Sequence, residues 1–372
     1  MHSNRYTDPS VQTAGRLSTG RVFIAASALL IIAVLLLVLS IFQTRRPAPA
    51  GIQNGFLLQS GDAPFYAAAG NGLAAATTEH IQLFSQAGKC VAQADVSLSD
   101  PVCAGSAVVS IYYDLGLPGM YALYPDGACR TAETDGGVIF ADVNETGLVT
   151  VLLEKADTLG TVLVLDTDLT PLFRWEAGTA YPVSARTSRD DLLGVCCVSP
   201  EGSTLRFFRI DREEEQSRFT LPDELIVDFG FLSDGTVAAV TDNQLLMLDS
   251  SGQVISVHPF EGSHLNAWSL QGNFAALATV SGLSGGSAVL TTLDSRGQIL
   301  GSSNAPRNVE ALSVGNDAVL VLFTGEESTL FNAALEEQVS YQPAEDVTQV
   351  FFTPGGMAFF AGASGVTQID FN

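Results

Sequence analysis

The chain has 372 residues, 47% of them apolar, and carries a formal net charge of −23 from 17 Lys and Arg against 40 Asp and Glu. That length and apolar share set aside a disordered chain and allow one large domain or two ordinary ones. The acidity sets aside nucleic acid as a partner, because a surface of this sign repels phosphate backbones.

Residues 1–21 are polar and read as a short cytoplasmic tail. The next stretch, 22–42, contains no charged residue, and fifteen of its twenty-one residues are Val, Leu, Ile or Phe. As a helix it would span about 31 Å, the thickness of a bilayer's hydrocarbon core, with an insertion free energy favourable by several kcal/mol. A cleaved signal peptide is the competing reading, since Ala48-Pro49-Ala50 offers a small-residue cleavage pattern. The apolar run is too long for a signal core, however, and Arg45 and Arg46 follow it directly, so a single-pass membrane anchor is expected. Arg5, Arg16 and Arg21 precede the stretch and only two arginines follow it, which puts the N-terminus in the cytoplasm and the C-terminal domain outside the cell membrane. Residues 43–54, with Pro47, Pro49 and Gly51, read as a tether. Beyond Pro47 the chain holds 12 Lys and Arg against 39 Asp and Glu, near −27. Such a field keeps an exported domain soluble, and it favours cationic over anionic ligands.

From residue 55 onward short runs of Val, Leu, Ile, Phe and Ala alternate with Gly, Asp, Asn and Ser clusters, the pattern of strands and turns. The turn in Leu248-Asp249-Ser250-Ser251-Gly252-Gln253-Val254 returns 45 residues later as Leu293-Asp294-Ser295-Arg296-Gly297-Gln298-Ile299. Weaker echoes lie at Ser85–Lys89 and Tyr124–Gly127. Asp opens each clear turn and Gly supplies the positive φ that a tight hairpin needs. With these turns as register marks, eight apolar strands end near Ser85, Tyr124, Asp166, Asp211, Asp249, Asp294, Leu335 and Asp370, at intervals of 35 to 45 residues. This is the period of a four-stranded propeller blade. An all-β propeller over 55–372 is expected, with eight blades and seven as the alternative count. Residues 226–258 give the clearest blade. The last unit lacks an outer strand, and Gly55–Gln59 is left over near the start; ring closure would place Phe56-Leu57-Leu58 on the open edge of that last blade.

These features resemble the bacterial propellers of the WD40, YVTN and quinoprotein-like superfamily, in particular single-pass membrane-anchored propellers. The resemblance implies the fold and the anchored topology and carries over no catalytic or ligand residue. Trp-Asp repeats, once-per-blade docking tryptophans and D-x-D-x-D-G calcium loops do not occur.

Residues that could carry chemistry are sparse. Gly282-Leu283-Ser284-Gly285-Gly286 has the G-x-S-x-G spacing of a nucleophile elbow, but it falls in a hairpin loop between two strands. His258 and His264 flank Glu261 and form the one candidate metal set. Tyr112, Tyr113 and Trp268 are candidates for a binding surface, with core packing as the competing role. Acidic pairs such as Asp166 with Asp168 and Asp190 with Asp191 fall at hairpin tips. The five cysteines, Cys90, Cys103, Cys129, Cys196 and Cys197, cannot all pair internally. Strand alternation sends Cys196 and Cys197 to opposite faces; a bridge from Cys90 to Cys103 or Cys129 stays open. Asn144-Glu145-Thr146 is a formal glycosylation sequon. With no partnered nucleophile and no cofactor fingerprint, no cofactor is expected. The sequence points to an extracytoplasmic binding or scaffold module for a protein or cell-envelope ligand. The alternative is an envelope enzyme, a hydrolase, lyase or quinone-dependent oxidoreductase, acting at the propeller channel.

Overall fold

The computed structural model describes residues 52–56, 64–282, 288–315, 317–325, 327–343, 346–363 and 365–371. The expected tail, anchor and first part of the tether, residues 1–51, lie outside these. Among the described residues no helix is long and apolar enough to cross a membrane.

Every regular element among the described residues is a strand, and the strands form eight four-stranded antiparallel sheets. In seven sheets the four strands, here A to D, follow one another in the chain. A strands of neighbouring blades touch one another, as His264–Gln271 does Val309–Gly315 and Val309–Gly315 does Val347–Phe352, so the A strands line a central channel and the D strands face outward. The domain is an eight-bladed propeller. Blade 5 consists of Ile226–Phe231, Val237–Thr241, Gln244–Leu248 and Val254–Pro259, within a residue of the sequence reading.

Burial explains why B and C strands are almost unbroken apolar runs. Gly72–Ala76, Thr161–Leu165 and Val237–Thr241 are buried at every position, because each sheet is covered on both faces by neighbouring blades. The outermost strands need not be apolar: Glu215–Pro222 alternates between half-buried and exposed along its length. Eight apolar clusters result, one at each junction between blades. Cys196 belongs to the cluster shared with blade 5 and Cys197 to the one shared with blade 3, the opposite faces that strand alternation demands.

Ring closure is visible twice. Tyr66, Leu73, Ala75 and Phe84 of blade 1 pack against Met357, Phe359, Ala361 and Val366 of blade 8. The fourth strand of blade 8 comes from the start of the domain, as expected; its described residues are Ile52–Phe56, which overlap the expected Gly55–Gln59 at Gly55 and Phe56. Ile52 lies opposite Ile369 and Phe56 opposite Val366. Leu57 and Leu58 lie outside the described residues.

The repeated turn joins strand C to strand D. Oδ1 of Asp249 accepts the amides of Ser251 at 2.8 Å and Gln253 at 2.9 Å, and Asp294 does the same for Arg296 at 2.9 Å and Gln298 at 2.8 Å. Gly252 and Gly297 take φ of 76° and 74°. Leu169 and Leu335 occupy this position in two other blades, with φ of 64° and 59°.

Antiparallel order divides the ring into two rims. One carries the A–B and C–D turns; the other carries the B–C turns and the D–A linkers between blades, and is called the linker rim below. Ile52 pairs near the end of Gly365–Asp370 and so begins on the rim of the C–D turns.

Candidate functional site

The A strands of blades 3 to 8 share one irregularity at their linker-rim ends. In each, the pairing with strand B slips by one residue, which leaves Ile139, Val183, Val227, Asn266, Glu310 and Thr348 as the extra residue of a β-bulge. All six are exposed. They occupy one structural position in six successive blades, at the mouth of the channel. Half of that set is apolar (blades 3, 4 and 5) and half polar (blades 6, 7 and 8).

The apolar half is extended by its neighbours. Tyr181 is 58% exposed and Leu225 57%, beside Val183 at 44% and Val227 at 51%. Leu115 and Leu117 are also exposed, and their loop is fixed to the start of the next A strand: Gly116 donates to the Val138 carbonyl at 2.8 Å, and Val138 donates to the Leu117 carbonyl at 3.0 Å. Together with Phe65, eight exposed large apolar side chains gather on the linker rim. The other such side chains among the described residues, Leu172, Val254, Ile255, Val257, Ile299 and Leu300, lie on outer strands.

Below this mouth, charged side chains line the channel. Arg186 Nη1 donates to Asp228 Oδ1 at 2.6 Å and to the Phe229 carbonyl, while its Nε stands 3.9 Å from Asp142 Oδ1. The guanidinium lies over the Phe140 and Phe229 rings, with centroids at 5.5 and 5.4 Å. Trp268 Nε1 donates to the other Asp228 oxygen at 2.9 Å. Four successive A strands are thereby tied together across the channel wall. Desolvation is the largest influence on Arg186 and opposes its charge, but Asp228 and Asp142 outweigh it and the guanidinium pKa rises. Desolvation raises the Asp142 carboxyl, with Arg186 pulling against it and Asp228 adding to the rise.

On the polar side a cleft of about 480 Å³ is lined by Asp242, His264, Asn266 and Asn308, among others. His264 Nδ1 stands 3.3 Å from Asp242 Oδ2, and Asn266 Nδ2 donates to the Val309 carbonyl at 2.6 Å.

The residues singled out in the sequence scatter. His258 is on the outer strand Val254–Pro259, edge-on to Phe260 with centroids 6.3 Å apart, while His264 starts the next inner strand. Desolvation lowers the His258 pKa, with Glu261 opposing. Glu261 sits in the linker between them with φ of 51°. Among the described residues no group of three or more His, Cys, Asp or Glu is placed to hold a metal ion. Tyr112 and Tyr113 are buried: Tyr112 donates to the Gln82 carbonyl at 2.6 Å, and the Tyr113 hydroxyl accepts the Ala141 amide at 3.2 Å. They are core residues and offer no surface; only Trp268 of the three aromatic candidates reaches the channel wall. Asp166 caps its own turn and Asp168 pairs with Arg130. All five cysteines are free thiols. The Asn144 side chain is consumed locally, its Oδ1 accepting the Thr146 and Leu148 amides and its Nδ2 donating to the Ser188 carbonyl at 2.9 Å. Of the G-x-S-x-G pattern only Gly282 is described, between Phe274–Val280 and Ala288–Leu293.

The bulge residues escaped the sequence reading, yet a signal exists. Val138-Ile139, Pro182-Val183 and Ile226-Val227 each place two apolar residues side by side where strict alternation would put one, the mark of an extra residue in a strand.

Comparison with solved structures gives the same architecture. The designed protein Ika8 superposes with a TM-score of 0.66 at 14% identity, covering 86% of this chain and all (100%) of that one. BamB from Moraxella catarrhalis gives 0.58 at 14% identity over 86% and 96% of the two chains. The C-terminal WD40 domain of Sif2 gives 0.61 at 11% over 86% and 99%. At these identities the likeness shows the fold alone. None of the curated protein sequences matches. Residues 51–370 do match one sequence family, and the chain accordingly belongs to the family of unknown function DUF5711.

Proposed function

We propose that this protein is a membrane-anchored binding scaffold whose propeller, outside the cell membrane, holds a protein or cell-envelope ligand on its linker rim. One observation carries the reading: the cluster of exposed apolar side chains at the channel mouth, centred on Val183, Leu225 and Val227. Such side chains cost solubility when left in water, and a group of them on one rim of a domain marks an interaction surface. Propellers serve widely as scaffolds for protein binding, because a rigid ring presents many loops in fixed positions. The uncharged stretch 22–42 and the arginines around it support anchorage and orientation. The channel charges fit a structural role better than a catalytic one, since Arg186 is held by two carboxylates, a carbonyl and two aromatic rings.

The test is site-specific photo-cross-linking of the full chain in its own membranes. A photoreactive residue at Val227 should give a discrete adduct that an equally exposed outer-strand position, Leu172, does not give, and Val183→Glu should weaken it. Equal labelling from both positions would refute the reading.

A further inference from the structure

Because the bulge residues occupy one structural position around the mouth, the chemistry of the ligand can be read from how that position changes from blade to blade. Blades 3 to 5 place Ile139, Val183 and Val227 there; blades 6 to 8 place Asn266, Glu310 and Thr348. The mouth is therefore two-sided, apolar on one half and polar on the other. On the polar half Glu310 is exposed, and Asp242 lines the neighbouring cleft beside His264. The chain beyond Pro47 as a whole carries a formal charge near −27.

We infer that the linker-rim mouth binds a basic amphipathic segment of a protein partner, its apolar side on Ile139, Val183 and Val227 and its Lys or Arg side toward Glu310 and Asp242. This rests on the scaffold reading above and deepens it by naming the ligand's chemistry. Three physical arguments select this occupant. Ile139, Val183 and Val227 stand 36%, 44% and 51% exposed, an apolar face on which one side of such a segment can dock. An acidic segment would meet like charge at Glu310, at Asp242 and across the whole domain, which suppresses encounter. A wholly apolar segment laid across the mouth would cover the polar half as well and desolvate Glu310 without a partner.

The experiment uses the full chain in lipid nanodiscs. Two fluorescent peptides of about five helical turns serve as probes, one of Leu and Lys placed at helical period and one with Glu in place of Lys. Anisotropy titrations are compared between preparations that differ only in the protein variant, so that lipid binding is common to all. The Leu/Lys probe is expected to bind, and the Leu/Glu probe not. Val183→Ser with Val227→Ser, which removes the apolar side chains without changing the charge, is expected to weaken the Leu/Lys probe about tenfold. Glu310→Lys is expected to weaken it several-fold, whereas Glu213→Lys, the same charge change on the opposite rim, leaves it unchanged. All four sites are solvent-accessible, and melting curves confirm that each variant is folded. Equal binding of both probes, equal losses from Glu310→Lys and Glu213→Lys, or an unchanged titration in the double Ser variant would overturn the inference. If any of these occurs while Val227 still gives its membrane adduct, the scaffold reading survives and the basic amphipathic ligand does not; loss of the adduct itself ends the scaffold reading.

Discussion

Gly297 and Gly235 form a matched pair for asking how much of the domain's stability depends on close approach between blades. Both have positive φ, 74° and 86°. A β-carbon at Gly235 would meet nothing within 4 Å, whereas at Gly297 it would lie 1.8 Å from Ser256 Oγ and 2.6 Å from Ser256 Cβ, on the outer strand of blade 5. Rotating the hydroxyl away removes the first clash but not the second. Gly235→Ala should therefore cost only the left-handed backbone penalty, about 1–2 kcal/mol. Gly297→Ala should cost that plus an overpacking term of about 1–3 kcal/mol, about 2–5 kcal/mol in all. Adding Ser256→Gly to Gly297→Ala should return most of the overpacking term, because the next neighbour, Met247 Cγ, would sit at an ordinary 3.7 Å. Urea denaturation followed by Trp175 and Trp268 fluorescence reads all four proteins, with equal m-values as the condition for comparing them. Equal destabilisation by the two alanines, or no recovery in the double variant, would refute the close-packed turn.

Three further outcomes are expected. Arg186→Met should destabilise the domain by about 2–3 kcal/mol in the same assay, since it leaves Asp142 and Asp228 facing each other without their cation while partial exposure softens the loss. Deleting residues 1–56 should lower the melting temperature and make it fall further at high protein concentration, because Gly365–Asp370 becomes an open edge; deleting 1–20 should leave melting unchanged. The His258 pKa is lowered in the folded protein by burial, so its contribution is full above the ordinary histidine value and is lost as pH falls through the lower folded value. Melting temperature in wild type should therefore decline on acidification from about pH 6.5, and His258→Gln should flatten that part of the profile.

The fold was largely legible because its physics repeats. Asp249 and Asp294 could be read as turn openers before any pairing was known, and fully covered strands such as Val237–Thr241 betray themselves as short apolar runs. The closing strand was legible as a vacancy in the last blade, and Phe56, expected on its open edge, does pair there with Val366. The site was much less legible. Tyr112 and Tyr113 drew attention as aromatics, yet a strand buried on both faces takes aromatics into its core. Val183 and Val227 look like core residues in the sequence, and only their place as the extra residue of a bulge turns them outward. Arg186, Asp142 and Asp228 are 42 to 44 residues apart along the chain, a blade's length, and their meeting follows from ring geometry that no local pattern encodes.

The pairing of Ile52 with Ile369 also sets an order of events during synthesis. The outer strand of the final blade is translated first and must wait, without a partner, until the last blade has been made. Until then the nascent chain is an open crescent, with Tyr66, Leu73 and Phe84 of blade 1 bare at one tip. Such long-range closure is slow and leaves sticky surface in the meantime, so the interval between the first and last blades is when this protein most needs a chaperone.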